Sequence, residues 1–112
     1  MSYSTQFGRT TGGYEAATAG TTQTQAGATV LTSAINYVTT ANASDGVMLP
    51  AGYGLGDVVY IVNRSAAALN VYPATGGKIN NGSANAAKAL AANLSGCYVC
   101  LGSENWGAVL SA

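Results

Sequence analysis

A chain of 112 residues has room for one domain with a single modest core. Four bases balance four acids, and charged residues make up only 7% of the chain against roughly 25% in an ordinary soluble domain, so the phosphate attraction that dominates nucleic-acid binding is missing. Hydrophobic residues at 48% argue against disorder for most of the chain, and no run of about 20 apolar residues offers a membrane span.

Residues 1–20 are rich in Ser, Thr, Gly and Ala and carry three isolated aromatics, Tyr3, Phe7 and Tyr14. Ordering a backbone residue costs roughly 1–2 kcal/mol, and this stretch has little apolar surface to offset that, so an extended N-terminal arm, mobile when alone, is expected. Each aromatic would contribute about 2 kcal/mol if buried on a partner. The plainer alternative is a tail whose aromatics do nothing. The opening M-S-Y-S-T-Q-F-G-R has no basic stretch followed by an apolar core, so it does not read as a secretory signal, and folding in a cytoplasm is expected.

The texture changes at Thr21, where the second segment, 21–112, begins. Ala28 to Thr32 and Ile35 to Thr40 read as strands; a helix across 26–38 is the alternative, disfavoured by its Thr, Val and Gly. Asn42 to Gly46 marks a turn, and Val47 to Leu49 a short strand stopped by Pro50. The stretch from Gly46 to Pro73 organises the rest. The apolar runs Val58 to Val62 and Leu69 to Pro73 are separated by the spacer Arg64 to Ala67, and together they predict an antiparallel hairpin. Along the first run Val58, Tyr60 and Val62 point one way, and Val59 and Ile61 the other. Both sides are apolar, so both need cover: one from the domain's own second sheet, the other from a neighbouring subunit. Val58, Tyr60, Val62 and Tyr72 are the predicted subunit interface.

Lys78-Ile79 reads as a brief strand before the turn Asn80 to Gly82. In the alanine-rich stretch from Ser83 to Leu94 the pattern favours turn, a short strand at Lys88 to Leu90, then turn, with a helix as the alternative. Ser95 to Leu101 and Asn105 to Leu110 close the chain as two strands joined across Gly102 to Glu104. Many short strands with frequent turns predict an all-β fold: a small β-sandwich or jelly-roll-like barrel over 21–112, with the extended arm ahead of it. No internal repeat at fixed spacing is visible.

The residues for catalysis are scarce. Histidine, the commonest general base and metal ligand, is absent. Cys97-Tyr98-Val99-Cys100 is formally C-x-x-C, but Tyr and Val are strand formers, and positions three apart on a strand point to opposite faces. Two reduced thiols are expected there, and a four-ligand zinc site lacks further ligands. The loop Gly52 to Gly56 leads into a strand and lacks the later glycine of a dinucleotide fingerprint. Gly77-Lys78 matches only the end of a phosphate loop, since Tyr72 and Ile79 stand where that motif needs Gly and Ser or Thr. No two of the four acids (Glu15, Asp45, Asp57, Glu104) form a hydrolase motif, and Glu104 reads as a solvated loop charge. The Asn-x-Ser matches beginning at Asn42, Asn63, Asn81 and Asn93 read as turns. The expectation is a protein that is not an enzyme and uses no cofactor or metal.

From about Ala19 to Leu110 the texture resembles a group of short phage virion proteins. Its marks are A-G-T-T-Q at 19–23, A-T-V-L-T at 28–32, I-N-Y-V-T-T at 35–40, D-G-V-M-L-P at 45–50, G-D-V-V-Y-I-V-N at 56–63, A-L-N-V-Y-P at 68–73, and a closing C-x-x-C followed by Trp106. The resemblance implies a capsid decoration (cement) protein, or a related head-fibre or tail-fibre module, β-rich and often trimeric. The implied partners are the major capsid protein and further copies of the chain, on the outer surface of the virion. In that setting Tyr3, Phe7, Arg9 and Tyr14 would be the arm's contacts with the capsid or with a neighbouring copy. No catalytic residues come with the resemblance. The competing reading is a fibre module that recognises host carbohydrate through Tyr53 and Asn80-Asn81, although a packed tyrosine and glycine-supported turns explain the same residues. A bacterial adhesin or pilus subunit would need a secretion signal.

Overall fold

The computed structural model describes residues 14–39 and 41–111. Among them there is no helix. Ten strands, β1 (Tyr14–Ala16), β2 (Thr29–Val30), β3 (Ile35–Val38), β4 (Gly46–Met48), β5 (Val58–Asn63), β6 (Leu69–Tyr72), β7 (Lys78–Ile79), β8 (Lys88–Leu90), β9 (Ser95–Cys100) and β10 (Asn105–Leu110), form two sheets. The larger has the order β1-β3-β5-β9-β10-β7 and the smaller β2-β4-β6-β8. The fold is all-β and sandwich-like; of the two forms expected, the sandwich is the one found.

The chain reaches it by an unexpected route. From β1 to β6 successive strands alternate between the sheets, so that β1, β3 and β5 stack in parallel in one and β2, β4 and β6 in parallel in the other. The first half is thus wound as stacked coils, each crossing from sheet to sheet. The second half reverses direction: β8 runs antiparallel to β6 and β9 to β5, β10 folds back on β9, and β7 joins β10 in parallel. The coils are unequal in length. Tyr14 pairs with Ile35 and Ile35 with Tyr60, steps of 21 and 25 residues, which explains why no fixed period shows in the sequence.

The predicted hairpin is therefore corrected. β5 and β6 do not pair; they belong to different sheets and are joined by an arch over residues 64–68. Tight hairpin turns need positive φ at their central residues, and no residue of 64–68 has it. A buried polar cluster holds the arch open instead. Asn63 Nδ2 donates to the carbonyls of Ala67 (2.9 Å), Leu90 (3.0 Å) and Ala91 (3.2 Å). Its Oδ1 accepts from Ser65 N (3.0 Å) and Ser65 Oγ (2.7 Å). One amide thereby ties the β5–β6 arch to the end of β8.

Other expected elements are found where the residues placed them. The stretch 83–94 is turn, strand β8, turn, with Asn85 (φ 66°) and Asn93 (φ 63°) taking the left-handed conformation that Asn tolerates. β9 and β10 form the expected closing hairpin across Gly102 to Glu104. The boundary near residue 20 shifts, because β1 is a strand of the larger sheet and Gly20 bridges to Gly46. Residues 14–20 belong to the sandwich.

The core lies between the sheets. Val38, Val59, Ile61, Tyr98 and Trp106 from the larger sheet are fully buried with Val47, Leu69, Val71 and Leu90 from the smaller. Tyr98 packs against Gly96, where a Cβ would come within 2.6 Å of Tyr98 Cε1. Burial pushes the Tyr98 phenol well above its ordinary range, and its hydroxyl has no hydrogen-bond partner among the described residues.

Candidate docking face

Strand alternation gives the larger sheet two sides of different fate. On β5, Val59, Ile61 and Asn63 are buried, while Val58, Tyr60 and Val62 turn outward. Register extends that outer side across neighbouring strands. One row runs Ile35, Tyr60, Cys97, Val109; a second joins Tyr37, Val62 and Ser95; a third joins Val58, Val99 and Gly107. Leu101 follows Val99 two residues on, just past β9. Tyr60 is 45%, Leu101 55% and Val109 72% exposed. No charged side chain stands in these rows. Arg64 marks one margin, its guanidinium carbon 5.8 Å from the centre of the Tyr37 ring, and Lys78 stands on edge strand β7 at the other.

Four strands about 4.8 Å apart and five residues of about 3.3 Å give this face an area on the order of 300 Å². That matches the size of apolar patch that is often functional on a monomer, and falls well short of the roughly 800 Å² per partner of a stable protein interface.

The predicted site residues are thus divided. Val58, Tyr60 and Val62 share the face. Tyr72 does not: it lies in β6 of the smaller sheet, is 8% exposed, and donates from its hydroxyl to Gln23 O at 3.2 Å. Its ring abuts Gly46, where a Cβ would sit 2.9 Å from Tyr72 Cε2, so its place is in the packing of the β2–β4–β6 coils. Tyr14 opens β1 at the edge of the larger sheet, in register with Ile35. Tyr3, Phe7 and Arg9 lie outside the described residues. Sequence reasoning missed Ile35, Tyr37, Cys97, Val99, Leu101 and Val109 as members of the face. The alternating burial of β3 and β9 is written in their sequences, but the register that aligns them with Tyr60 is not.

The remaining candidates have structural employment. Both cysteines are free; Cys97 faces outward, while Cys100 is buried and its thiol donates to Tyr53 O at 3.3 Å, so the two point to opposite sides as expected. Tyr53 packs against Trp106 with ring centres 5.9 Å apart. Asn80 adopts a left-handed turn conformation (φ 55°), and its Oδ1 accepts from Ala108 N at 2.9 Å. Glu104 is less solvated than expected, for its Oε2 accepts from Gly52 N at 3.1 Å. No cluster of three or more metal-ligating side chains occurs among the described residues. In comparisons with known proteins, no family model matches the chain and no curated protein matches it.

Proposed function

We propose that this chain is a structural subunit of a phage virion, a capsid decoration protein that docks on the outer surface of the head through the outer face of its larger sheet and works as an oligomer. One observation carries the reading: the uncharged rows Ile35–Tyr60–Cys97–Val109 and Tyr37–Val62, solvent-facing on a chain with little charge anywhere. The face is too small for one copy to hold firmly. Several linked copies multiply weak contacts through effective concentration, which suits a lattice-binding oligomer, a trimer in this proposal. The N-terminal segment with Tyr3, Phe7, Arg9 and Tyr14 adds contacts with the capsid or with a neighbouring copy. The resemblance in strand and turn texture supports the same class. The competing carbohydrate-binding reading draws less support, because Tyr53 is engaged by Trp106 and Asn80 by Ala108.

Charge placed in the middle of the face tests the proposal. Tyr60→Lys and Val109→Lys alter exposed positions, so both variants should fold. Desolvating an unpaired ammonium against an apolar partner costs about 3 kcal/mol or more, so binding to isolated heads lacking the protein should fall on the order of a hundredfold. Unchanged occupancy would overturn the face as the docking surface. Quantitative mass spectrometry of virions then separates the classes: hundreds of copies on the head fit decoration, and a few on the tail fit a fibre.

A further inference from the structure

At the β1 and β2 end of the sandwich both sheets present an edge. In each sheet the first strand, β1 in the larger and β2 in the smaller, has a neighbour on one edge only among the described residues. Between them runs a groove of about 520 Å³, walled by residues 16–21 and 29–32. Thr29 Oγ1 donates to Thr18 O at 2.5 Å and ties the walls together. Among the described side chains that line the groove none is charged. Asn36 lines it too, and is fully buried. Its Nδ2 donates to Ser33 O (2.8 Å) and Tyr60 O (3.3 Å), yet its Oδ1 accepts no hydrogen bond among the described residues. A buried carbonyl oxygen without a donor costs about 1–3 kcal/mol, so an occupant whose N–H or O–H reached this acceptor would gain from it.

We propose that the groove takes an extended peptide strand, and that the strand is the segment of residues 1–13 from a second copy of this chain. Unpaired strand edges recruit extended backbone, which supplies N–H and C=O groups at the right spacing, and the unsatisfied Asn36 oxygen suits a peptide N–H. The segment matches the site in chemistry and reach. Its only charge is Arg9, and the rest is Ser, Thr, Gly and Gln with Met1, Tyr3 and Phe7. Tyr3, Thr5 and Phe7 would share one side of an extended strand. Thirteen extended residues span about 43 Å, whereas six strands about 4.8 Å apart are about 24 Å across, so the segment reaches past its own body. It departs from Tyr14, on the edge strand beside the groove. Copies arranged about that edge can each receive the next one's segment in a closed set. The inference rests on reading the chain as an assembling subunit, but needs neither the outer face of the larger sheet nor a capsid.

Engineered disulfides in the full-length chain test it. All variants carry Cys97→Ser to remove the outward native thiol. A chain with Thr5→Cys is co-expressed with a mass-tagged chain carrying Thr18→Cys, an exposed residue of the groove wall. The expected result is a disulfide between the two chains on mild oxidation, with a yield reduced at least tenfold by Val30→Arg, which brings charge to an exposed position of the wall. A chain carrying both new cysteines that closes only on itself overturns exchange between copies. A yield unaffected by Val30→Arg overturns the groove as the seat. Purified protein without heads is used throughout, so failure here is distinct from failure of the face variants to lose head binding.

Discussion

The arch amide Asn63 offers the sharpest test of how this fold is held. Asn63→Ala removes a side chain that makes five hydrogen bonds from a site with no solvent access. Not every partner is stranded. The Ala67 carbonyl keeps Ser65 Oγ at 2.9 Å, and the Ala91 carbonyl keeps the Leu94 amide at 3.2 Å. The Ser65 N–H loses its partner, whereas the Leu90 carbonyl stays in the β6–β8 ladder opposite Leu69. One buried N–H deprived of a partner costs about 1–3 kcal/mol, so a loss of about that size is expected before any cavity is counted. That is a large part of the roughly 5–15 kcal/mol that holds an ordinary domain together. Asn63→Asp should be worse, because it keeps an acceptor for Ser65 but loses every donor and buries a charge. Urea unfolding followed by the fluorescence of Trp106, the single and fully buried tryptophan, measures both. An Asn63→Ala variant within about 0.5 kcal/mol of the parent would refute the claim that this amide holds the arch.

Tyr98→Phe should leave stability unchanged or raise it, because the hydroxyl it removes is buried without a partner; a loss above about 1 kcal/mol in the same urea assay would mean that the hydroxyl is satisfied after all. The pH dependence follows in sign. The folded-state phenol is raised above its unfolded value near 10, so the folded protein retains a proton that the unfolded chain releases. That contribution is complete below about pH 10 and is lost as pH climbs above it, so the parent should lose stability in alkali more steeply than Tyr98→Phe. Gly96→Ala should cost about 1–3 kcal/mol, read as a lowered melting temperature, because its Cβ would press on Tyr98 and on Leu110 Cδ2 at 2.9 Å. A maleimide should label Cys97 and spare Cys100 in the folded protein, and the proposed attachment through the larger sheet's outer face should protect Cys97; equal labelling of both thiols would contradict their placement, and no protection on heads would contradict the proposed attachment.

The strands were legible because β-branched and aromatic runs bounded by Gly, Asn and Pro leave few alternatives, and even Lys88 to Leu90 in its alanine-rich surroundings stood out between two asparagines. Their partners were not legible. Val58 to Val62 followed by a short spacer and Leu69 to Pro73 looks the same whether the strands pair side by side or face each other across a core. The difference rests on Asn63, which reads as a turn residue in sequence but is a buried clamp in the fold, bonded to carbonyls as far as residues 90 and 91. The face was legible only along β5. Tyr60 and Val62 show their shared side by alternation, whereas Cys97 joins them through a pairing with Tyr60, 37 positions away, which no local pattern carries, and Val109 follows through its pairing with Cys97.

The area of the face and the scarcity of charge constrain each other. At roughly 25 cal/mol per Å², an apolar patch on the order of 300 Å² yields about 7 kcal/mol when covered. Bringing two bodies together costs about 4–15 kcal/mol, so one copy on one site gains little or nothing. Adding charges around the rim would raise single-site affinity by steering, yet among the described residues Arg64 and Lys78 alone are seen to flank the face and the chain has no net charge. In the proposed docking, affinity would come from linking copies, because the cost of association is met once while the apolar gain recurs at each site. The proposed exchange at the open edge of β1 and β2 would supply that linkage, joining copies through backbone pairing and leaving the outer faces of their larger sheets uncovered. A chain that stayed monomeric would leave the proposed docking without the affinity it needs.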